Sequence, residues 1–194
     1  FASDRGGGIF INNNSKPTVI NNFIFNNATR GGGGGISIQA GSPFILNNVI
    51  CNNDAYFGGG LTVGSSKPIF SNNTVCNNHC EQDGSALCEW DSKFSIYNSI
   101  FWGNVSDNEY FATRPIAISN PLNFYHNNIE GGQAGINLPE GIVPGDFTGN
   151  INGDPVFANP TEGTGIVYDA LQADWSISDL SPNINKGMPD IGSL

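Results

Sequence analysis

The chain has 194 residues, 38% of them hydrophobic and only 12% charged, with 17 acidic against 7 basic side chains and a net charge of −10. Such a surface lacks the clustered Lys and Arg that phosphate binding requires, which excludes nucleic acid as a partner. No run of 18 apolar residues occurs, so no helix is expected to span a bilayer.

The chain opens on Phe1-Ala2-Ser3-Asp4-Arg5 and runs straight into Gly6-Gly7-Gly8-Ile9. It therefore reads as a mature or trimmed piece of a longer product, whose N-terminal end meets an upstream segment or another chain. The glycine phrase returns at Gly33-Gly34-Gly35-Ile36, at Gly58-Gly59-Gly60-Leu61 and, worn, at Gly84-Ser85-Ala86-Leu87, in steps of 27, 25 and 26 residues. A fixed period of this size marks a solenoid, with one coil per repeat. The expected fold is all-β: a right-handed parallel β-helix of about five coils of 25–27 residues. Coils are expected over residues 1–130, and an irregular C-terminal coil or cap of the same domain over 131–194. Five coils at about 4.8 Å each make a rod of roughly 24 Å.

Within each coil three short apolar runs are separated by turn residues, too often broken by Gly and Asn for helix. Alternation predicts inward columns Ile9/Ile36/Leu61/Leu87, Ile11/Ile38/Val63 and Ile24/Ile50/Val75/Ile100. It also predicts Thr18/Phe44/Ile69/Phe94 and Ile20/Leu46/Ser71/Ile96 as inward. Asn pairs punctuate the coils at Asn21-Asn22, Asn47-Asn48 and Asn72-Asn73, with Tyr97-Asn98 in the fourth place. Asn accepts the left-handed backbone of a sharp bend, and its amide both donates and accepts. Asn22, Asn48, Asn73, Asn98 and Asn127 are therefore expected to stack as a ladder; the alternative is an outward turn. A second pair closes three coils at Asn26-Asn27, Asn52-Asn53 and Asn77-Asn78.

Four cysteines allow three pairings. The preferred bond is Cys80–Cys88, closing a short polar loop. Cys51 and Cys76 hold equivalent places in consecutive coils, so a second bond there or two packed thiols both fit the spacing.

After Asn104 the repeat fades, with one more coil through Pro115-Ile116-Ala117-Ile118 and Phe124-Tyr125-His126-Asn127-Asn128-Ile129. An open last coil exposes strand edges, so the tail is expected to supply Phe157, Tyr168, Leu171, Trp175 and Ile177 as a cap.

The glycine phrases, preceded by Ile24-Phe25-Asn26-Asn27 and Ile50-Cys51-Asn52-Asn53, resemble the paired GGAI and FxxN motifs of polymorphic outer-membrane proteins. The later phrases Asn98-Ser99-Ile100-Phe101-Trp102-Gly103-Asn104, Asn150-Ile151-Asn152-Gly153-Asp154-Pro155-Val156-Phe157, Ser181-Pro182-Asn183-Ile184-Asn185-Lys186-Gly187 and Asp190-Ile191-Gly192 are similar to the ends of secreted bacterial β-helix proteins that carry a separate anchoring module. The resemblance implies an extracellular or bacterial cell-surface location. It implies far less about activity, because this scaffold carries lyases, hydrolases, adhesins and passive stalks.

Candidate chemistry is sparse. Glu81, Asp83, Glu89 and Asp91 form the one acidic group close in sequence, and a solvated loop explains them. Asp146, Asn150, Asn152 and Asp154 offer oxygens for Ca²⁺, but they also spell ordinary turns, and no metal site is assigned. His79 and His126 stand alone in the sequence. Trp90, Tyr97, Trp102 and Tyr110 gather around the fourth coil, where exposed rings stack on sugars or anchor a protein; packing is the competing use. The reading is a non-catalytic extracellular module for adhesion, glycan or partner binding, or rigid spacing. The alternative is a polysaccharide lyase, a glycoside hydrolase or an accessory domain of one. An ice-binding solenoid is third, since that activity uses flat Thr ladders and Thr62 and Thr74 are isolated.

Overall fold

The apolar triplets form strands of two to four residues, because Asn and Gly at their ends turn the chain before a longer run can grow. The computed structural model describes residues 4–143 and 145–188; the Asp190-Ile191-Gly192 phrase lies outside them. The first coil holds β1 (Ile9–Ile11), β2 (Thr18–Ile20) and β3 (Phe23–Phe25). The second holds β4 (Ile36–Gln39), β5 (Phe44–Leu46), β6 (Val49–Cys51) and β7 (Asp54–Ala55). The third holds β8 (Leu61–Gly64), β9 (Ile69–Ser71), β10 (Thr74–Cys76) and β11 (His79–Cys80). The fourth holds β12 (Leu87–Trp90), β13 (Ser95–Tyr97), β14 (Ile100–Trp102) and β15 (Val105–Ser106). The fifth holds β16 (Ile116–Ile118), β17 (Asn123–Tyr125) and β18 (Asn128–Ile129). A 3₁₀ turn at Gly132–Gly135 leads to β19 (Ile136–Asn137) and β20 (Phe147–Thr148). Last comes an antiparallel hairpin, β21 (Phe157–Asn159) with β22 (Asp174–Ile177).

Equivalent strands pair in parallel, so the chain is a parallel β-solenoid of about five coils. The first sheet runs β1-β4-β8-β12-β16-β19, the second β2-β5-β9-β13-β17-β20 and the third β3-β6-β10-β14-β18. A short fourth sheet is β7-β11-β15. Because β19 and β20 join the first two sheets and Ile151 bridges to Asn128, winding continues past residue 130 into a partial sixth coil.

Like residues stack inside. Ile9, Ile36, Leu61, Leu87, Ile116 and Ile136 share one register, as do Val19, Ile45, Phe70, Ile96, Phe124 and Phe147. Burying each such side chain contributes about 1.5–3 kcal/mol. Two expectations fail here. In the second sheet the middle residue of each triplet points inward, so Thr18, Phe44 and Ile69 face out, as do Ile20 and Leu46. Triplets such as Phe44-Ile45-Leu46 are apolar throughout and carry no alternation to read. In the third sheet Phe101, not Ile100, continues the column of Ile24, Ile50 and Val75.

The asparagine ladder exists, with one substitution in its rungs. The backbone N–H and Nδ2 of Asn22 donate to Asn48 Oδ1, at 3.0 and 3.1 Å, and Asn48 donates likewise to Asn73 at 2.9 and 3.0 Å. Asn73 then donates its N–H to Ser99 Oγ, Ser99 to Asn127 Oδ1, and Asn127 to Asn150 Oδ1. Asn98 is therefore not a rung. It has φ 48° and belongs with Asn21, Asn47 and Asn72, the left-handed residues of the bend. The step from Asn73 to its neighbour is 26 residues, one more than the preceding step of 25. A second ladder, unforeseen, joins Asn27, Asn53, Asn78 and Asn104 by the same bonds.

The glycine phrases serve close packing. A Cβ on Gly34 would lie 2.4 Å from Gly59 O of the next coil, and Gly33 has φ +76°. Side chains are excluded there on both grounds.

Residues 136–151 of the tail stack on the fifth coil, but the side chains expected to cap it lie elsewhere. Phe157 and Trp175 meet at 5.2 Å edge to face and pack with Phe25, Val49, Cys51, Cys76 and Ala170 on the outside of the third sheet. Tyr168, Leu171 and Ile177 stay exposed. Residues 154–188 thus form a strap along the flank. The left-handed asparagines hold it: Asn26 Nδ2 donates to Tyr168 O at 2.9 Å, Asn52 Nδ2 to Gly163 O at 3.0 Å, and Asn77 Nδ2 to Thr161 Oγ1 at 2.9 Å.

Candidate functional site

Outward residues of the third sheet run Phe25, Cys51, Cys76, Trp102 in one register. The strap covers the first three. At Trp102 it stands off, leaving a cleft of about 520 Å³ lined by Trp102, Gly103 and Asn77 on the coil side. Asp154, Phe157, Thr161, Glu162 and Trp175 line the strap side. Thr161 is fixed, since its hydroxyl accepts from Asn77 and donates to Asn52 Oδ1 at 3.0 Å. Asp154 Oδ1 accepts from Val156 N at 2.9 Å. The cleft thus combines an indole wall with exposed carboxylate acceptors, and neither Lys nor Arg lines it.

The other three aromatic candidates go elsewhere. Trp90 ends β12 on the first sheet and its ring lies against Gly64, where an added Cβ would come within 2.2 Å of it. Tyr97 is on the second sheet and stacks on Tyr125 at 5.3 Å and 16°, so the rings turn their faces to each other. Tyr125 donates its hydroxyl to Asp146 at 2.8 Å, which raises its pKa. Tyr110 is 84% exposed on the turn after β15. The four rings do not share one site. Their nearness in sequence spreads over three sheets and a loop, because one coil visits every face.

The acidic group also disperses. Glu89 turns inward in the register of Val63 and Ile118 and is 3% exposed. Its carboxylate accepts from the N–H groups of Ser92, Ser119 and Asn120, tying two successive bends. Asp83 accepts from Asn137 Nδ2 at 2.9 Å, and burial raises its pKa. Asp91 has φ 54° and accepts from Ser65 Oγ at the surface, as a turn residue does. Glu81 is exposed.

His79, which stands alone in the sequence, does not stand alone in space. Its Nδ1 donates to Asp54 Oδ1 at 3.2 Å and its Nε2 lies 3.0 Å from Asp107 Oδ1. The bond to Asp54 raises the imidazole to about 9, against burial, with Asp107 adding to the rise. It is an imidazolium pinned between two carboxylates, and Gly165 of the strap sits against its Cβ. The legible signal was Asp54 at the equivalent position one coil earlier.

All four cysteines are free, so the preferred Cys80–Cys88 bond is not formed, and of the two arrangements open to Cys51 and Cys76 the packed thiols are the one present. Cys80 pairs with Ala55 and Ser106 in the fourth sheet, whereas Cys88 pairs with Thr62 and Ala117 in the first. Cys51 and Cys76 lie side by side beneath the strap. Burial pushes Cys80 and Cys88 up to about 12, and Cys51 and Cys76 upward too, which suppresses the reactive thiolates.

The oxygens considered for Ca²⁺ are spent separately: Asp146 on Tyr125, Asn150 on the ladder, Asn152 on Gly131 N and Asp154 on Val156 N. Among the described residues no group of three or more His, Cys, Asp or Glu is placed to hold a metal ion, and no helix is long and apolar enough to cross a membrane. Thr62 is buried, bonded to Ser37, and Thr74 lies on a different sheet, so they form no shared array. The chain matches no protein-family model, no curated protein and no solved structure.

Proposed function

We propose that the chain is a non-catalytic, extracellular glycan-binding module of a bacterial surface or secreted protein, and that Trp102 is its stacking platform. One observation carries this: of the four clustered aromatics, Trp102 alone faces a cleft between coil and strap. An indole face takes the apolar side of a sugar ring, while carboxylate and amide groups beside it accept and donate to hydroxyls. The surface setting is supported by the resemblance of the glycine and Phe-x-x-Asn phrases to outer-membrane repeats. A rigid rod that carries its site on one flank also suits display away from a cell.

The hydrolase alternative would place Asp154 and Glu162 as the acid pair. A glycosidase needs one carboxyl kept protonated by an apolar, buried setting. Both of these are exposed, which favours binding over turnover.

A glycan array followed by calorimetry tests the proposal. The chain is expected to bind neutral glycans without releasing products. Trp102→Ala should weaken binding at least about tenfold, the scale of one lost aromatic anchor. Trp90→Ala and Tyr97→Ala should leave it within about twofold. New reducing ends or unsaturated sugars that disappear in Glu162→Gln would establish the enzyme instead.

A further inference from the structure

A second hollow, of about 280 Å³, adjoins the Trp102 cleft on the strap. The two share Pro160, Thr161 and Glu162 in their walls. Tyr168, Asp169 and Gln172 are among the residues that line the rest of the second one. The Tyr168 ring lies on Gly163: a Cβ there would come within 2.4 Å of the ring. Tyr168 therefore has one face seated on backbone, and it is still 41% exposed. Its backbone is held as well, because its carbonyl accepts from Asn26 Nδ2. A seated ring loses little freedom when a ligand stacks on it, which is what makes a platform effective.

Electrostatics narrow the ligand. Neither hollow is lined by Lys or Arg, and Asp154, Glu162 and Asp169 stand at their walls. A uronate, sulfate or phosphate would meet like charge without a counter-ion. Sugar hydroxyls, by contrast, supply the donors these carboxylates accept.

We propose, building on the glycan-binding reading above, that the two hollows are consecutive subsites for one linear, neutral oligosaccharide, with Trp102 serving the first and Tyr168 the second. Glu162 stands between them and takes hydroxyls from the sugar that crosses from one to the other. A disaccharide fills only the first subsite, so affinity should rise with chain length until both platforms are covered.

The test is calorimetry of the whole chain with neutral β-1,4-linked glucan, xylan, mannan and N-acetylglucosamine oligomers, each as dimer and hexamer, with a galacturonate hexamer as the anionic control. The hexamer of the bound series should bind about tenfold tighter than its dimer. Tyr168→Ala should remove that advantage and leave the dimer unchanged, and Gln172→Ala should weaken the hexamer alone. Near-ultraviolet circular dichroism of the packed Trp175 confirms that each variant keeps its strap, and Tyr168→Phe, which retains the ring, should hold the hexamer within about twofold. Equal affinity for dimer and hexamer, or equal loss of both in Tyr168→Ala with the strap intact, overturns the second subsite while the Trp102 reading stands. Tight binding of the galacturonate control overturns the neutral assignment. Absence of binding in every series overturns both readings together.

Discussion

In the coil body the asparagine bonds recur from turn to turn, whereas along the flank each bond between coil and strap is made once. The corner asparagines show the contrast within single dipeptides. Asn53 turns inward and exchanges bonds with Asn27 and Asn78, its equivalents above and below. Asn52, its neighbour, has φ 51° and turns outward to Gly163, Gly165 and Thr161. One residue type thus does two jobs: the first position of the pair makes the bend and grips the strap, and the second buries an amide whose every polar atom is satisfied by repetition. A repeated interaction holds the scaffold; a unique one places the site.

Asn53→Ala should break this most severely. Both Oδ1 and Nδ2 vanish: the Asn27 N–H loses its acceptor, Asn27 Nδ2 keeps only Phe25 O, Ile24 O loses its amide donor, and Asn78 Oδ1 keeps only the N–H of residue 53. Unsatisfied buried groups cost about 1–3 kcal/mol each, so a loss of about 3 kcal/mol in global stability is expected from chemical denaturation. Asn52→Gly should behave differently. Glycine keeps the left-handed bend, so only the strap bonds are lost, at about 1 kcal/mol. Hydrogen exchange should show that loss confined to residues 157–170. Equal global losses in the two variants would show that strap and coils unfold as one unit.

The same contrast explains what could be read from the sequence. The period revealed the coils, the parallel stacking and the existence of an asparagine ladder, because each was written four times. Register within the ladder slipped by one where the spacing changed from 25 to 26 residues and a serine replaced the amide, so Asn98 took the place of Ser99. The site was only half legible. Trp102 stood out as an aromatic, but what separates it from Trp90 is which sheet it lies on and where the strap leaves a gap. The strap's own placement depends on bonds between residues more than 80 positions apart, each made once, and no periodicity announces those. The pin of Asp54, His79 and Asp107 was missed because its members come from successive coils.

That pin joins the two regions, since Gly165 of the strap rests on His79. The folded imidazole titrates near 9 rather than at its ordinary 6.5, chiefly through its bond to Asp54. A raised pKa means the stabilisation is complete below pH 6.5 and is lost as pH climbs from 6.5 through 9. Discounted for the exposed Asp107, the contribution is about 1–2 kcal/mol. Melting temperature should therefore fall across that window in the native chain and stay flat in His79→Gln. If exchange of residues 161–166 also speeds up over the same window, the pin secures the strap; if only the melting temperature moves, it secures the coils alone.

The smallest effect concerns the rung at which the ladder changes chemistry. Ser99 Oγ accepts from Asn73 N at 3.1 Å and donates to Tyr97 O at 2.7 Å, but it is too short to meet Asn73 Nδ2, which bonds backbone carbonyls instead. In Ser99→Asn the longer amide should take both donors of Asn73, as Asn73 takes those of Asn48, and reach Phe70 O as Asn48 reaches Val19 O. A gain of about 0.5–1 kcal/mol is expected. Asn98→Gly should be nearly neutral, because the bend tolerates glycine and only the bond to Met188 N is lost. The opposite pattern, with Ser99→Asn destabilising and Asn98→Gly costly, would restore Asn98 to the stack. The fourth coil would then repeat the 25-residue spacing, and Trp102 would take the bend position of Asn77 instead of the sheet position of Cys76.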